Sequence, residues 1–295
     1  MFVFGNSTKK DRKMQKEEIA MSKVTIQKIQ AMKGVEKISM ITAYDYPTAC
    51  VVEKSGIEIV LVGDSLMMTM LGDVSTVPCT MEDVIHHTKP VVVGAPTRLI
   101  VSDMPFGSYN VSKELAIMSA NRFMKEGRCD VVKLEGGVEM AHIIKAIVDS
   151  GTPVMGHIGL TPQTASKMGG FKIQGKGEAA ESVLADALAV QEAGAFSIVL
   201  EGIPEQLGKL ITEKLTIPTI GIGAGRYTDG QVLVFHDMLG FFDRFVPKFV
   251  KQYMQLNKEI VSALETFKDE VKTGAFPEES HTFGGVTEEE IKHLY

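Results

Sequence analysis

A (β/α)8 barrel is the fold this sequence predicts, and three observations carry the prediction. Short runs rich in Val and Ile alternate with longer helical stretches from residue 38 to about residue 242. The alternation recurs every ~25–30 residues, the length of one βα unit, and supplies eight strand-like runs in one domain. Charged residues also stand at the same end of successive runs. Such residues are ruinous inside a sheet buried on both faces, so they must meet at one rim, where parallel α/β folds build their sites. A doubly wound open sheet is the runner-up architecture.

The elements follow in order. Strands Ile38–Tyr44 and Ile57–Gly63 open the series, the second ending in Asp64-Ser65. Leu99–Ser102 ends in Asp103, Val131–Leu134 carries Lys133 and ends in Glu135, and Pro153–Gly156 ends in His157. Ser197–Leu200 ends in Glu201, and Pro218–Ile222 and Val232–Phe235 complete the set. Helical stretches lie between them, for instance Met81–Val93, Val111–Glu126, Val138–Asp149, Glu178–Ala193 and Pro204–Lys214. Thr80 before Met81-Glu82-Asp83 and Thr161 before Pro162-Gln163 are N-terminal capping signals. Gly56, Gly127, Gly151 and Gly194 each close a helical stretch, as C-terminal caps do. The helix–strand joints are therefore short. The longer loops, residues 64–80 and 157–177, fall on the charged rim as candidate lids. Past the barrel, Phe245, Phe249, Tyr253, Leu256, Ile260, Leu264, Phe267 and Val271 recur at steps of three and four. They predict one long amphipathic helix, packed either on its own barrel or on a second subunit.

Bulk properties narrow the function. The 295 residues suit one large core, and 44% hydrophobic and 23% charged content suit a soluble globular chain. A net charge of −6 argues against nucleic acid and anionic membrane as partners, and no apolar run reaches the ~18 residues of a membrane span. Three cysteines, Cys50, Cys79 and Cys129, contain no C-x-x-C pair and suit a reducing compartment, so the cytoplasm is the expected location. Residues 1–20 open too briefly apolar for a signal peptide and read as a mobile extension ahead of a single domain, residues 21–295.

Asp64, Asp103 and Glu135 follow the second, third and fourth strands. Neighbouring strands lie ~4.8 Å apart, so three such carboxylates can converge on one point and offer the all-oxygen ligand set that suits Mg²⁺. Each alone is equally well a helix cap or the partner of a loop cation. Lys133 shares a strand face with Glu135, and neighbouring negative charge keeps it protonated, as a clamp on an anionic substrate rather than a nucleophile. Glu201 stands across the barrel between Leu200 and Ile203, with apolar neighbours of the kind that make a carboxylate a useful base, although alone it reads rather as a helix-capping or loop-pairing acid. His157 either donates to substrate or satisfies a buried loop. Gly221-Ile222-Gly223-Ala224-Gly225 is a weak phosphate-loop match, and close backbone packing explains its glycines as well. His86-His87, inside a helix, reads as structural.

The segments Ile41-Thr42-Ala43-Tyr44-Asp45-Tyr46-Pro47-Thr48-Ala49, Val62-Gly63-Asp64-Ser65-Leu66, Val132-Lys133-Leu134-Glu135-Gly136-Gly137, Gly156-His157-Ile158-Gly159-Leu160-Thr161-Pro162-Gln163 and Pro218-Thr219-Ile220-Gly221-Ile222-Gly223-Ala224-Gly225 together resemble the ketopantoate hydroxymethyltransferase family. The likeness runs from about Met21 to Phe283. Asp73 and Met67 depart from it, where the family usually has an aromatic and a small residue. The resemblance implies a (β/α)8 barrel that moves a hydroxymethyl group from 5,10-methylenetetrahydrofolate to 3-methyl-2-oxobutanoate through a Mg²⁺-stabilised enolate. It implies metal ligation by Asp64, Asp103 and Glu135, and substrate contacts at Asp64, Ser65, Asp103 and Lys133, with His157 near the product. It further implies Glu201 as proton acceptor and a homodecamer of two stacked pentamers.

Two rival functions share the barrel. A Mg²⁺-dependent carbon–carbon lyase of the isocitrate lyase and phosphoenolpyruvate mutase type uses the same carboxylate logic, but its Cys-Gly-His loop is absent and Cys129 precedes the fourth strand, at the wrong rim. A non-catalytic binding barrel needs no base, which Glu201 argues against.

Overall fold

Eight parallel strands pair in chain order and close on themselves, so the doubly wound alternative falls. The computed structural model describes residues 22–242 and 245–294. The extension expected at residues 1–20 lies outside the described residues. The strands are β1 Ile38–Thr42, β2 Ile59–Val62, β3 Leu99–Asp103, β4 Val131–Glu135, β5 Val154–Gly159, β6 Ser197–Glu201, β7 Thr219–Ile222 and β8 Gly230–Leu233. Their period of two sorts the core into two layers. Met40, Leu61, Val101, Val131, Met155, Val199, Ile220 and Val232 fill the barrel interior. Ile41, Val60, Ile100, Val132, Ile158, Ile198 and Leu200 point the other way, into the packing beneath the helices. Each such side chain fully buried contributes about 1.5–3 kcal/mol of transfer free energy. Helix α1, Ile26–Met32, places Ile29 and Met32 in the interior cluster, where they plug the end of the barrel away from the charged rim.

The surrounding helices obey their end signals. They are α2 Tyr46–Ser55, the single turn α3 Leu66–Thr69, α4 Met81–Gly94, α5 Lys113–Arg122, α6 Ala141–Asp149, α7 Ala179–Glu192 and α8 Glu205–Lys214. Thr80 and Asp83 form a reciprocal capping box at the start of α4. Gly56 takes the left-handed conformation after α2. The cap expected at Gly127 falls instead on Arg128, at φ 61°. The cause is a π turn, Phe123–Gly127, which adds a residue to the end of α5 and moves the stop along by one.

The remaining differences bear on the site. Strand β5 runs on through His157, and Asp103, Glu135 and Glu201 are the last residues of their strands rather than the first of the loops. No helix separates β7 from β8; residues 223–229 cross directly. The glycines there serve packing: a Cβ on Gly221 would lie 2.7 Å from Thr228 Oγ1, and one on Gly223 2.8 Å from the Phe249 ring. Phe235 starts a short helix, α9 Phe235–Met238, instead of ending β8.

The long C-terminal helix is shorter than its apolar stripe. It begins only at Leu256, as α10 Leu256–Thr273. Upstream, Pro247 lacks a backbone donor, and the N–H groups of Tyr253, Leu256 and Asn257 donate to the carbonyls of Met238, Leu239 and Gly240. That stretch is bound to the end of α9 and is not free to coil. No residue of α10 is buried, and Leu264 and Phe267 stay 61% and 52% exposed, so the helix does not pack on its own barrel. A last short helix, α11 Glu288–Lys292, follows. Among the described residues, no helix is long and apolar enough to cross a membrane, and all three cysteines are free.

Candidate active site

Inward-facing positions alternate along each strand, so the layer above the apolar interior must be filled by whatever the sequence puts two residues further on. Beyond Val101 stands Asp103; beyond Val131 stand Lys133 and Glu135; beyond Met155, His157; beyond Val199, Glu201. Strand register aligns Asp103 with Lys133, and Glu135 with His157. A period of two and parallel register thus gather five charged side chains at one end of the barrel. Asp64 joins from the loop after β2, where its N–H donates to Asp103 Oδ2 at 3.0 Å.

The cluster is buried apart from its edge. Asp64, Asp103, Lys133, Glu135 and His157 are each at most 4% exposed, whereas the Glu201 side chain is 16% exposed. Lys133 Nζ lies 2.8 Å from Asp103 Oδ1. His157 lies between two carboxylates: Nδ1 is 3.3 Å from both Glu135 Oε1 and Lys133 Nζ, and Nε2 is 3.2 Å from Glu201 Oε2 without completing a hydrogen bond. Ser65 sits beside Asp64, its Oγ 2.7 Å from the Tyr44 hydroxyl. Burial pushes that phenol up to about 12, so it remains protonated.

Electrostatics follow from the crowding of like charges. Burial, with repulsion from Asp103 and Glu135, holds Asp64 well above the usual carboxylate range against the opposing pull of Lys133 and Gln163. Asp103 is also raised, by burial first, although Lys133 opposes the shift. Burial pushes the Lys133 ammonium down, but Asp103, Glu135 and Asp64 outweigh it and hold the group above the ordinary lysine range. Lys133 is therefore a fixed cation, as its neighbours in sequence predict. For His157, burial and Lys133 lower the pKa, yet Glu135 and Glu201 prevail and raise it to about 9.

The donor set fits a hard divalent cation. Three buried carboxylates crowd one ammonium, and Asp103 Oδ1 completes no hydrogen bond despite its short ion pair. Convergence on a single point, however, is not what the side chains adopt. Among the described residues no three acidic, His or Cys groups already form a ligand cage. Mutual repulsion spreads the carboxylates, and Lys133 and Gln163 take up their oxygens. Cation binding by Asp64, Asp103 and Glu135 would require the oxygens left outside these bonds to turn toward one another.

Two neutral residues enter the cluster that a reading based on charge passes over. Gln163 and Tyr109 are both buried and bond to the carboxylates or their backbone. Gln163 stands in a quoted motif, but beside Thr161-Pro162 it reads as the start of a helical turn. His87, by contrast, is tied to the Tyr44 carbonyl, in keeping with a structural role.

Fold and rim together define a (β/α)8-barrel enzyme with an acidic, lysine-bearing site at the C-terminal ends of its strands. The model of the ketopantoate hydroxymethyltransferase family matches residues 23–279. A 3-methyl-2-oxobutanoate hydroxymethyltransferase from Heliobacterium modesticaldum is 58% identical over 92% of this chain and 99% of its own. One from Clostridium beijerinckii is 54% identical over 90% of this chain and 97% of its own. The chain belongs to the ketopantoate hydroxymethyltransferase family and is a transferase. Among solved structures, a phosphonopyruvate hydrolase complex with oxalate and Mg²⁺ has a TM-score of 0.58 at 10% identity, covering 91% of this chain and 94% of that one. A 2,3-dimethylmalate lyase of the phosphoenolpyruvate mutase and isocitrate lyase superfamily also scores 0.58, at 13% identity, with coverage of 91% and 94%. Those likenesses concern the fold alone.

Proposed function

We propose that the protein transfers a hydroxymethyl group from 5,10-methylenetetrahydrofolate to 3-methyl-2-oxobutanoate, giving 2-dehydropantoate for pantothenate and coenzyme A synthesis. The name carried by its relatives supports the substrate. The observation that carries the mechanism is the His157 bridge, which puts Glu201 across one imidazole from the Lys133–carboxylate cluster. Asp64, Asp103 and Glu135 would hold Mg²⁺, and the bound ion supplies positive charge where negative charge develops on the 2-oxo acid. Lys133, fixed as a cation, adds to that field and attracts the substrate carboxylate. Ser65, oriented by Tyr44, and His157 position the substrate oxygens.

Glu201 accepts the C3 proton on a carboxylate oxygen that still reaches solvent. Water adds to the folate one-carbon unit and both of its C–N bonds break, releasing tetrahydrofolate and leaving the carbon as formaldehyde. The electron pair left on C3 then bonds to that carbon, and its oxygen takes the proton back from Glu201 to become the hydroxyl. His157, whose Nε2 lies 3.2 Å from Glu201 Oε2 without completing a hydrogen bond, holds positive charge beside that carboxylate. Cytoplasmic action belongs to the same reading, supported by three unpaired cysteines. So does assembly as a homodecamer, supported by the bare apolar face of α10.

Product analysis after mixing protein, Mg²⁺, 3-methyl-2-oxobutanoate and methylenetetrahydrofolate tests the reaction; no 2-dehydropantoate would sink it. Proton NMR in deuterated buffer tests the base. Glu201→Gln should slow exchange of the C3 proton by roughly 10²–10⁴-fold, the usual contribution of a general base. Exchange at the wild-type rate would assign the base elsewhere.

A further inference from the structure

Gln163 makes four hydrogen bonds that have no part in forming a helical turn. Its Nε2 donates to Asp64 Oδ2 at 2.9 Å and to the Met104 carbonyl at 3.0 Å. Its Oε1 accepts from the Tyr109 hydroxyl at 2.6 Å. Its backbone N–H donates to Glu135 Oε2 at 3.0 Å. The residue is 4% exposed, so none of these bonds is exchanged for water.

The amide orientation is fixed by its partners. The Met104 carbonyl can only accept, so the amide nitrogen faces it and the amide oxygen faces Tyr109. The Tyr109 oxygen in turn accepts from the Glu135 N–H at 3.2 Å, and its single proton goes to Gln163 Oε1 at 2.6 Å in preference to the Glu135 carbonyl at 3.3 Å. One residue therefore holds an oxygen of Asp64 through its side chain and an oxygen of Glu135 through its backbone. These carboxylates lie on different strands' ends and repel each other. A neutral donor to both restrains them without adding a charge that would compete with a bound cation.

We propose that Gln163, anchored by Tyr109, is a positioning residue that sets the site's affinity for a divalent cation by holding one oxygen of Asp64 and one of Glu135, so that the other oxygen of each is the one free to turn toward the cation. The inference rests on the assignment of those carboxylates as metal ligands. It predicts a cation-binding defect distinct from a loss of stability, because a residue that only filled space would change unfolding and leave affinity alone.

Mn²⁺ binding followed by electron paramagnetic resonance tests it, with thermal unfolding in chelator alongside. Gln163→Met keeps the volume and the backbone N–H but deletes both side-chain anchors. Its Mn²⁺ affinity should fall roughly 10–100-fold, the usual cost of removing a group that orients a metal ligand. Should that variant not fold, Tyr109→Phe removes only the anchoring hydroxyl and is expected to weaken Mn²⁺ binding by a smaller factor, about three- to tenfold. A folded variant of either kind with wild-type affinity overturns the role of Gln163 and leaves the metal assignment standing. Failure of the wild type to bind Mn²⁺ overturns the metal assignment itself, and the proposal with it.

Discussion

His157 shows how far a single residue's character depends on strands far away in sequence. Its type and its place after an apolar run were legible, and so were the charges of Asp64, Asp103, Lys133, Glu135 and Glu201. Its two partners were not, because they come from β4 and β6 and meet it only through barrel register. Gln163 and Tyr109 were illegible for a different reason: a neutral amide and a phenol give no signal until burial makes their hydrogen bonds obligatory. The raised pKa of His157 has a measurable consequence in the metal-free protein. With a folded value of about 9 against ~6.5 in the unfolded chain, its stabilising contribution is complete below the unfolded value. It is lost as pH rises through the folded value. The raised Asp64 and Asp103 act in the same sense at lower pH, since the folded site keeps protons that the unfolded chain releases. Thermal unfolding in EDTA should therefore show the wild type weakening from about pH 6.5 to pH 9. His157→Asn should flatten that slope; an equal slope in both proteins would assign the titration to other groups.

Among the elements, strands were read more faithfully than their ends. β-Branched runs mark a strand's interior, but its last residues are set by pairing, and pairing carried β5 through to Gly159. The C-terminal stripe misled in the opposite direction. Helical spacing continued across residues whose N–H groups are committed to the end of α9, and periodicity cannot see a hydrogen bond already spent. Gly159 explains why β5 must end as it does. It has φ 89°, and its Cα faces the Glu201 carbonyl so closely that a Cβ would also reach 2.8 Å from Ile203 Cγ2. Gly159→Ala should destabilise the protein by about 1–3 kcal/mol, the range for overpacking a tight contact. It should also displace Glu201, seen as a fall in activity larger than the loss of folded protein. Unchanged denaturant midpoint and activity would show that β5 and β6 yield without strain.

The whole molecule presents an unbalanced surface. The barrel buries its apolar residues in two layers, yet α10 leaves Leu264, Phe267 and Val271 in the open. The rhythm of that face was legible, whereas its exposure needed the structure. Because these residues are not buried against their own barrel, and only the Phe267 ring meets another, that of Phe276, changing them should largely spare the fold and alter assembly. Leu264→Glu with Phe267→Glu should lower the mass seen by light scattering from that of a decamer to smaller species, with unchanged circular dichroism. A wild type that is already monomeric would refute the assembly.

The direct crossing from β7 to β8 gives the cylinder a seam. Only Ile220 with Gly230 and Gly221 with Gln231 are in register there, whereas β5 and β6 share five such pairs. The flank of α8 touches that crossing: a Cβ on Gly208 would lie 2.5 Å from the Ala224 carbonyl, and Glu205 accepts from Arg226. In a ring of eight staves, the β7–β8 joint is diametrically opposite the joint between β3 and β4, where Asp103 meets Lys133. The joint with the fewest register pairs thus lies across the barrel from the joint that carries the Asp103–Lys133 ion pair. Local opening that starts where pairing is thinnest would start a full diameter away from the carboxylates.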